Sequence, residues 1–279
     1  MDQLSNILIG LATTFIGYVI GRLWQITVDR RPYRRIKRFW KPILSGDTQI
    51  IVSRFTPDTS DPHMTFEYPG LVGGGDALAM RELTTFFEKI HTKGVHVVYV
   101  DEPSVDRTKN LILVGGPGIN AVTKDALDLL KPKLQFGYAR PGLVEIRDLA
   151  PEPESDNGNY PSYTPEPGKD YGVIIRACNP FDSTKVAVIL AGAYGHGTWA
   201  AAILSLQDWF AEQCSQLHSQ ENKLNKYLHW LPRSLMPQED THMQQLECVF
   251  RVQLFDKRPH SPEIIALRTL APGNEAASV

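Results

Sequence analysis

The chain has 279 residues, 42% of them hydrophobic and 22% charged, with a formal net charge of -2. Such a composition builds an ordinary globular core and supplies no global field for a polyanion, so no specific nucleic-acid binding is expected. Cys178, Cys214 and Cys248 are widely spaced, which suits a reducing compartment and offers neither a disulfide framework nor a metal-ligand cluster.

From Leu4 to Gly21 the stretch LSNILIGLATTFIGYVIG runs 18 residues without a charge. About 20 apolar residues cross a bilayer core, so residues 1–24 are expected to form one transmembrane helix. Only Asp2 precedes the run and no flank suits signal cleavage, so the segment reads as retained. A peripheral amphipathic helix is the alternative, because Ser5, Asn6, Thr13 and Thr14 dilute the run. Gly17 and Gly21 have the small-xxx-small spacing that lets two helices approach, a route to a homo-oligomer.

Residues 25–46 read as a basic juxtamembrane linker. Arg30, Arg31, Arg34, Arg35, Lys37, Arg38 and Lys41 meet no acidic residue before Asp47. By the positive-inside rule they face the lipid bilayer from the cytosol, with Tyr33, Phe39 and Trp40 at the interface. The expected location is the inner (cytoplasmic) membrane, single-pass, with the N-terminus outside.

Residues 47–279 are expected to form one cytosolic Rossmann-like α/β domain. Short apolar runs at 48–55, 95–101, 110–116, 171–177 and 185–192 read as strands, and helical patterns occupy 77–91, 120–130 and 198–214. Continuous apolar strands between amphipathic helices predict a mostly parallel sheet with helices on both faces. The proline-rich residues 150–168 read as a surface loop or a lid. Period-two alternation from Leu246 to Leu254 predicts an antiparallel strand, with 262–270 as its partner.

Ligands of open α/β sheets bind beyond the carboxyl ends of the strands, where helix entrances favour anions. Three turns have that form. In VGGPGINAVTK, Gly115 and Gly116 leave a strand and Asn120 and Thr123 open a helix; Asn120 either caps it or meets a ligand. Neither GxGxxG nor GxxxxGK[ST] is completed, which disfavours classical dinucleotide and P-loop binding. In AGAYGHGTWAAA, Gly195, His196, Gly197 and Thr198 stand at a second entrance. His196 is the candidate acid or base and the amides near Gly197 an anion cradle; a purely packing turn is the alternative. In DYGVIIRACNPFD, Arg176 is a candidate phosphate or carboxylate clamp, with an ion pair as the alternative, and Asn179 makes the following turn. Gly73, Gly74 and Gly75 introduce a further helix.

With these residues the chain resembles an uncharacterised group of bacterial Rossmann-like domains marked by GGPxxN, DYGxIxRxxNPF and GxxGxGTxAA turns. They stand here at Gly115 to Asn120, Asp170 to Phe181 and Gly192 to Ala202. The resemblance covers roughly residues 47 to 215 and implies a ligand-sensing or regulatory domain without transferring a reaction.

Three functions follow as expectations. The first is a membrane-anchored sensor of a nucleotide or another phosphorylated small molecule, an architecture that could serve bacterial stress or phage-defence signalling. The second is a nucleotide- or nucleoside-processing hydrolase or transferase, for which Glu67, Asp76, Asp170 and His196 are available. The third is a membrane-tethered scaffold in which the glycine turns only pack.

Overall fold

The computed structural model describes residues 14–19, 21, 33–54, 71–90, 92–150, 160–225 and 245–270. Five helices follow residues 14–21: α1 (Arg34–Leu44), α2 (Gly74–Lys89), α3 (Ala121–Leu130), α4 (Gly195–Ser205) and α5 (Asp208–Asn225). The strands are β1 (Thr48–Val52), β2 (Val95–Tyr99), β3 (Asn110–Val114), β4 (Leu134–Arg140), β5 (Leu143–Asp148), β6 (Ser162–Tyr163), β7 (Lys169–Asn179), β8 (Asp182–Gly192), β9 (Leu246–Phe255) and β10 (Arg258–Thr269). Seven of them form one sheet in the order β10-β9-β7-β8-β3-β1-β2, and β4-β5-β6 form a second, three-stranded sheet.

The large sheet is mixed, which corrects the expectation of a mostly parallel one. β1 lies parallel to β2 and β3, and β3 to β8, but β7 is antiparallel to both β8 and β9, and β9 to β10. Only Pro180 and Phe181 separate the paired residues Asn179 and Asp182, and a connection that short joins antiparallel neighbours. The unbroken apolar runs of β7 and β8 record burial on both faces and not strand direction. β9 and β10 turn at Asp256 and Lys257, both at positive φ, the pattern of a type I′ hairpin turn.

Two cores flank the sheet. On one face Ile50, Ile112, Val188 and Phe250 meet α1, α2, α4 and α5; on the other Ile51, Leu113, Ile175 and Ile189 meet α3 and the small sheet. The helix expected at 198–214 is broken between Ser205 and Asp208, so α4 packs on the sheet and α5 continues toward α1.

The transmembrane helix expected ahead of the sheet is also corrected. Among the described residues no helix is long and apolar enough to cross a membrane. Most of residues 1–24, together with Arg30 and Arg31, lies outside the described residues. The basic stretch after it is no simple linker: residues 34–44 form α1, whose Ile36, Phe39, Trp40 and Ile43 are buried. Trp40 is fully buried and its Nε1 donates to the Ser205 carbonyl at 3.1 Å, so Phe39 and Trp40, expected at a lipid interface, are core instead, with Tyr33 half-buried against it. Arg35 bonds Glu212 of α5 at 2.5 Å, a surface ion pair between the two helices.

The β4–β5 hairpin, which the apolar patterning did not single out, turns at Pro141 and Gly142. Its far end is pinned by Arg268 of β10, which reaches both Asp148 oxygens at 2.6 and 2.8 Å and Glu247 at 2.6 Å. Part of the proline-rich stretch is structured too: Ser162 and Tyr163 pair with Arg147 and Ile146, while residues 151–159 lie outside the described residues.

Candidate ligand crevice

Parallel β1, β3 and β8 end on one edge of the sheet, so the chain segments that leave them gather there. Between them lies a crevice of about 950 Å³. Gly116 to Gly118 from the β3–α3 turn, Gly192 to Gly195 from the β8–α4 turn, and Gly73 to Gly75 at the start of α2 form one end of it. Leu127 of α3 and Leu134, Phe136 and Tyr138 of β4 form the other. A smaller crevice of about 700 Å³ lies across a shared ridge of Gly74, Gly75, Tyr194 and Gly195, and is lined by His196, Trp199, Asp170 and Lys169.

The glycine end is organised around two buried carboxyls. Asp76, in the first turn of α2, accepts hydrogen bonds from the hydroxyls of Ser53, just beyond β1, and Thr198, in α4. It is 2% exposed, and burial raises its pKa while those two hydrogen bonds pull the other way. Gly115 lies against this pair at φ 105°, where a Cβ would stand 2.9 Å from Ser53 Oγ and 3.0 Å from Asp76 Oδ2. Only glycine combines that backbone conformation with that proximity.

Asp170 lies beside the α4 entrance because β7 begins where β8 ends. It accepts the amides of Tyr171 at 2.8 Å, Tyr194 at 3.3 Å and Gly197 at 2.7 Å. Burial raises its pKa as well; the three amides and nearby His196 oppose the rise. The α4 entrance thus already holds an anion of the chain's own.

The sequence candidates are divided by this geometry. Gly116, Gly195 and Thr198 line the larger crevice, and Gly115 stands behind its wall. His196 faces the smaller crevice, and Gly197 is buried with its amide on Asp170. Asn120 caps α3: its Oδ1 accepts from Thr123 N at 3.1 Å and its Nδ2 donates to the carbonyls of Ile51 and Val114. Thr123 is fully buried in the first turn of that helix.

Arg176 and Asn179 do not reach the crevice. Arg176 points into the helical core, over the Phe39 ring at 5.4 Å, where burial lowers its pKa to about 10. Asn179 lies at the opposite sheet edge and bridges the carbonyls of Arg107 and Lys109 at 2.7 Å each. The hairpin that made the sheet mixed accounts for both positions, since it carries the end of β7 away from the ends of β1, β3 and β8.

Tyr138, Phe136 and Lys131 line the crevice without having been singled out in the sequence. They belong to α3's end and the hairpin that follows, where an aromatic on a short exposed strand has no diagnostic spacing. Glu67, named as an available carboxylate, lies outside the described residues. Among the described residues no group of three or more His, Cys, Asp or Glu side chains is placed to hold a metal ion. No family model matches the chain, and neither a curated protein nor a solved structure does.

Proposed function

We propose that the larger crevice binds an anionic small molecule, a nucleotide or another phosphorylated compound, and that the chain serves as a sensor or regulatory protein. The observation that carries this reading is the convergence of three glycine-rich segments, distant in sequence, on one wall of the 950 Å³ crevice. The first amides of α2 have no acceptor within their helix, and Gly74 and Gly75 place them on that wall without a side chain between. Lys131 adds positive charge at the α3 side, where Lys124 is paired with Asp128 at 3.2 Å. The resemblance to ligand-sensing domains points the same way.

The test is mass spectrometry of small molecules retained by the purified full chain, followed by calorimetry with what is found. A phosphorylated compound bound at one per chain, and weakened by a side chain placed at position 74, supports the reading. Absence of any anion that binds would overturn it.

A second reading, a hydrolase or transferase acting on a nucleotide or nucleoside, is favoured by Asp76: a buried carboxyl of raised pKa on a crevice wall is a common arrangement for proton transfer. His196, the other candidate for that role, faces the smaller crevice. Turnover of the retained compound that Asp76→Asn abolishes while binding persists would select this reading over the sensor.

A further inference from the structure

The larger crevice has two chemically different ends. Its glycine end offers main-chain amides; its other end, built by α3 and the β4–β5 hairpin, sets the apolar side chains of Leu127, Leu134, Phe136 and Val144 beside the charged Lys124, Asp128 and Lys131. A free phosphate or a sugar phosphate would leave the apolar side chains of the second end uncovered.

Tyr138 belongs to the second end. It lines the crevice yet leaves 62% of its surface to solvent, and its hydroxyl lies 3.6 Å from where a Cβ on Gly118 would be, so the phenol overhangs the β3–α3 turn. Exposed large aromatics that line a concave site commonly mark contact surfaces, because they offer a flat face at low conformational cost. The hairpin that carries Tyr138 is fixed at both ends. Arg268 holds Asp148 at one, and the Tyr194 hydroxyl donates to the Gly142 carbonyl at 2.8 Å at the other. Tyr194 is also the residue just ahead of α4, so the hairpin tip is tied to the glycine end itself.

We propose that the ligand is a nucleoside 5′-phosphate whose base stacks on Tyr138 beside the apolar side chains of the second end while its phosphate meets the glycine end, which makes Tyr138 the specificity-determining residue of the site. This rests on the anion-binding reading above. The two-ended lining is what selects a molecule with a planar ring joined to an anion, and the anchored hairpin presents Tyr138 in place before the ligand arrives, reducing the ordering cost of binding.

Calorimetry of the full chain against the four ribonucleoside 5′-monophosphates, ribose 5-phosphate and hexyl phosphate tests this. At least one nucleotide should bind tenfold or more tightly than ribose 5-phosphate, within the roughly five- to hundred-fold range that base stacking spans. Tyr138→Ala should erase most of that advantage and leave ribose 5-phosphate unchanged, while Tyr138→Phe retains it. Equal binding of ribose 5-phosphate or hexyl phosphate, or an advantage that survives Tyr138→Ala, overturns the stacking role and leaves the anion reading standing. If none of these phosphates binds, both fail.

Discussion

The carboxylate of Asp170 accepts the amide of Gly197 at 2.7 Å, and the same side chain takes the amides of Tyr171 and Tyr194. An acidic residue 27 positions earlier in the chain therefore fills the place at the α4 entrance where the sequence suggested that a ligand's anion would sit. Asp170→Ala would leave three amides without this acceptor, that of Gly197 buried and those of Tyr171 and Tyr194 partly buried. The expected cost is about 3 kcal/mol, since hydrogen bonds to a charged group are worth more than neutral ones and buried orphan donors keep their full desolvation penalty. Urea unfolding measures it; a loss under about 1 kcal/mol would mean that water replaces the carboxylate.

Asp76 links stability to pH. Burial raises its pKa in the folded chain above the usual 3.8, so over the interval between the two values the native state holds more protons than the unfolded one. Stability from this group is fully present below the unfolded value and is lost as pH rises through the folded one. Asp76→Asn removes that dependence. The melting temperature of the variant relative to the natural chain should therefore shift in the variant's favour as pH rises above the usual 3.8. A difference that stays constant as pH rises would show that Asp76 titrates as it does in water.

α1 is expected to be indispensable to the fold. Trp40 is fully buried, meets Phe39 and Phe87 edge to face at 5.2 and 5.4 Å, and bonds Ser205. Trp40→Ala should cost about 3–5 kcal/mol, the usual range for deleting a large buried aromatic. A fragment beginning at Asp47 should lose cooperative unfolding, because it uncovers the sheet face and helices on which Ile36, Phe39 and Ile43 rest. Thermal melts of the two proteins check this, and an equally stable fragment would make α1 an accessory.

The fold was legible in the sequence wherever local patterning is itself the cause of structure. β1, β3, β7, β8, α2 and α3 appear close to their expected places because apolar runs and helical periodicity determine what each segment buries. Strand direction was not legible, because a strand buried on both faces reads the same in either sense and only the two-residue turn at Pro180 distinguishes them. α1 was misread for a related reason: a stripe of Ile36, Phe39, Trp40 and Ile43 beneath basic residues suits a lipid surface as well as a protein core, and its spacing names neither. In the site, the glycines marked the helix entrances. Arg176, the most promising cation, went to the core because side-chain alternation along β7 turns it to the helical face beside Ile174. Tyr138 gave no signal, since its place in the crevice depends on a hairpin that folds over a turn twenty residues away.

Gly74 and Gly75, neighbours in the chain, separate packing from binding. A Cβ on Gly75 would collide with the backbone of Gly195, and the reverse Cβ would stand 3.3 Å from Gly75, so α2 and α4 begin in direct main-chain contact. At Gly74 a Cβ would meet nothing within 4 Å, although the residue lines both crevices. Gly75→Ala should then destabilise the chain by about 1–3 kcal/mol, the usual cost of forcing a methyl into a closed contact. Gly74→Val should unfold like the natural chain while its side chain projects into the space beside the α2 amides. Paired denaturation and calorimetry on these two variants measure both effects, using a phosphorylated compound that the natural chain binds. If Gly74→Val folds and binds that compound undiminished, the amides of α2 are not where the ligand sits. If Gly75→Ala is as stable as the natural chain, the helices can part at their entrances, and the glycines there serve something other than close packing.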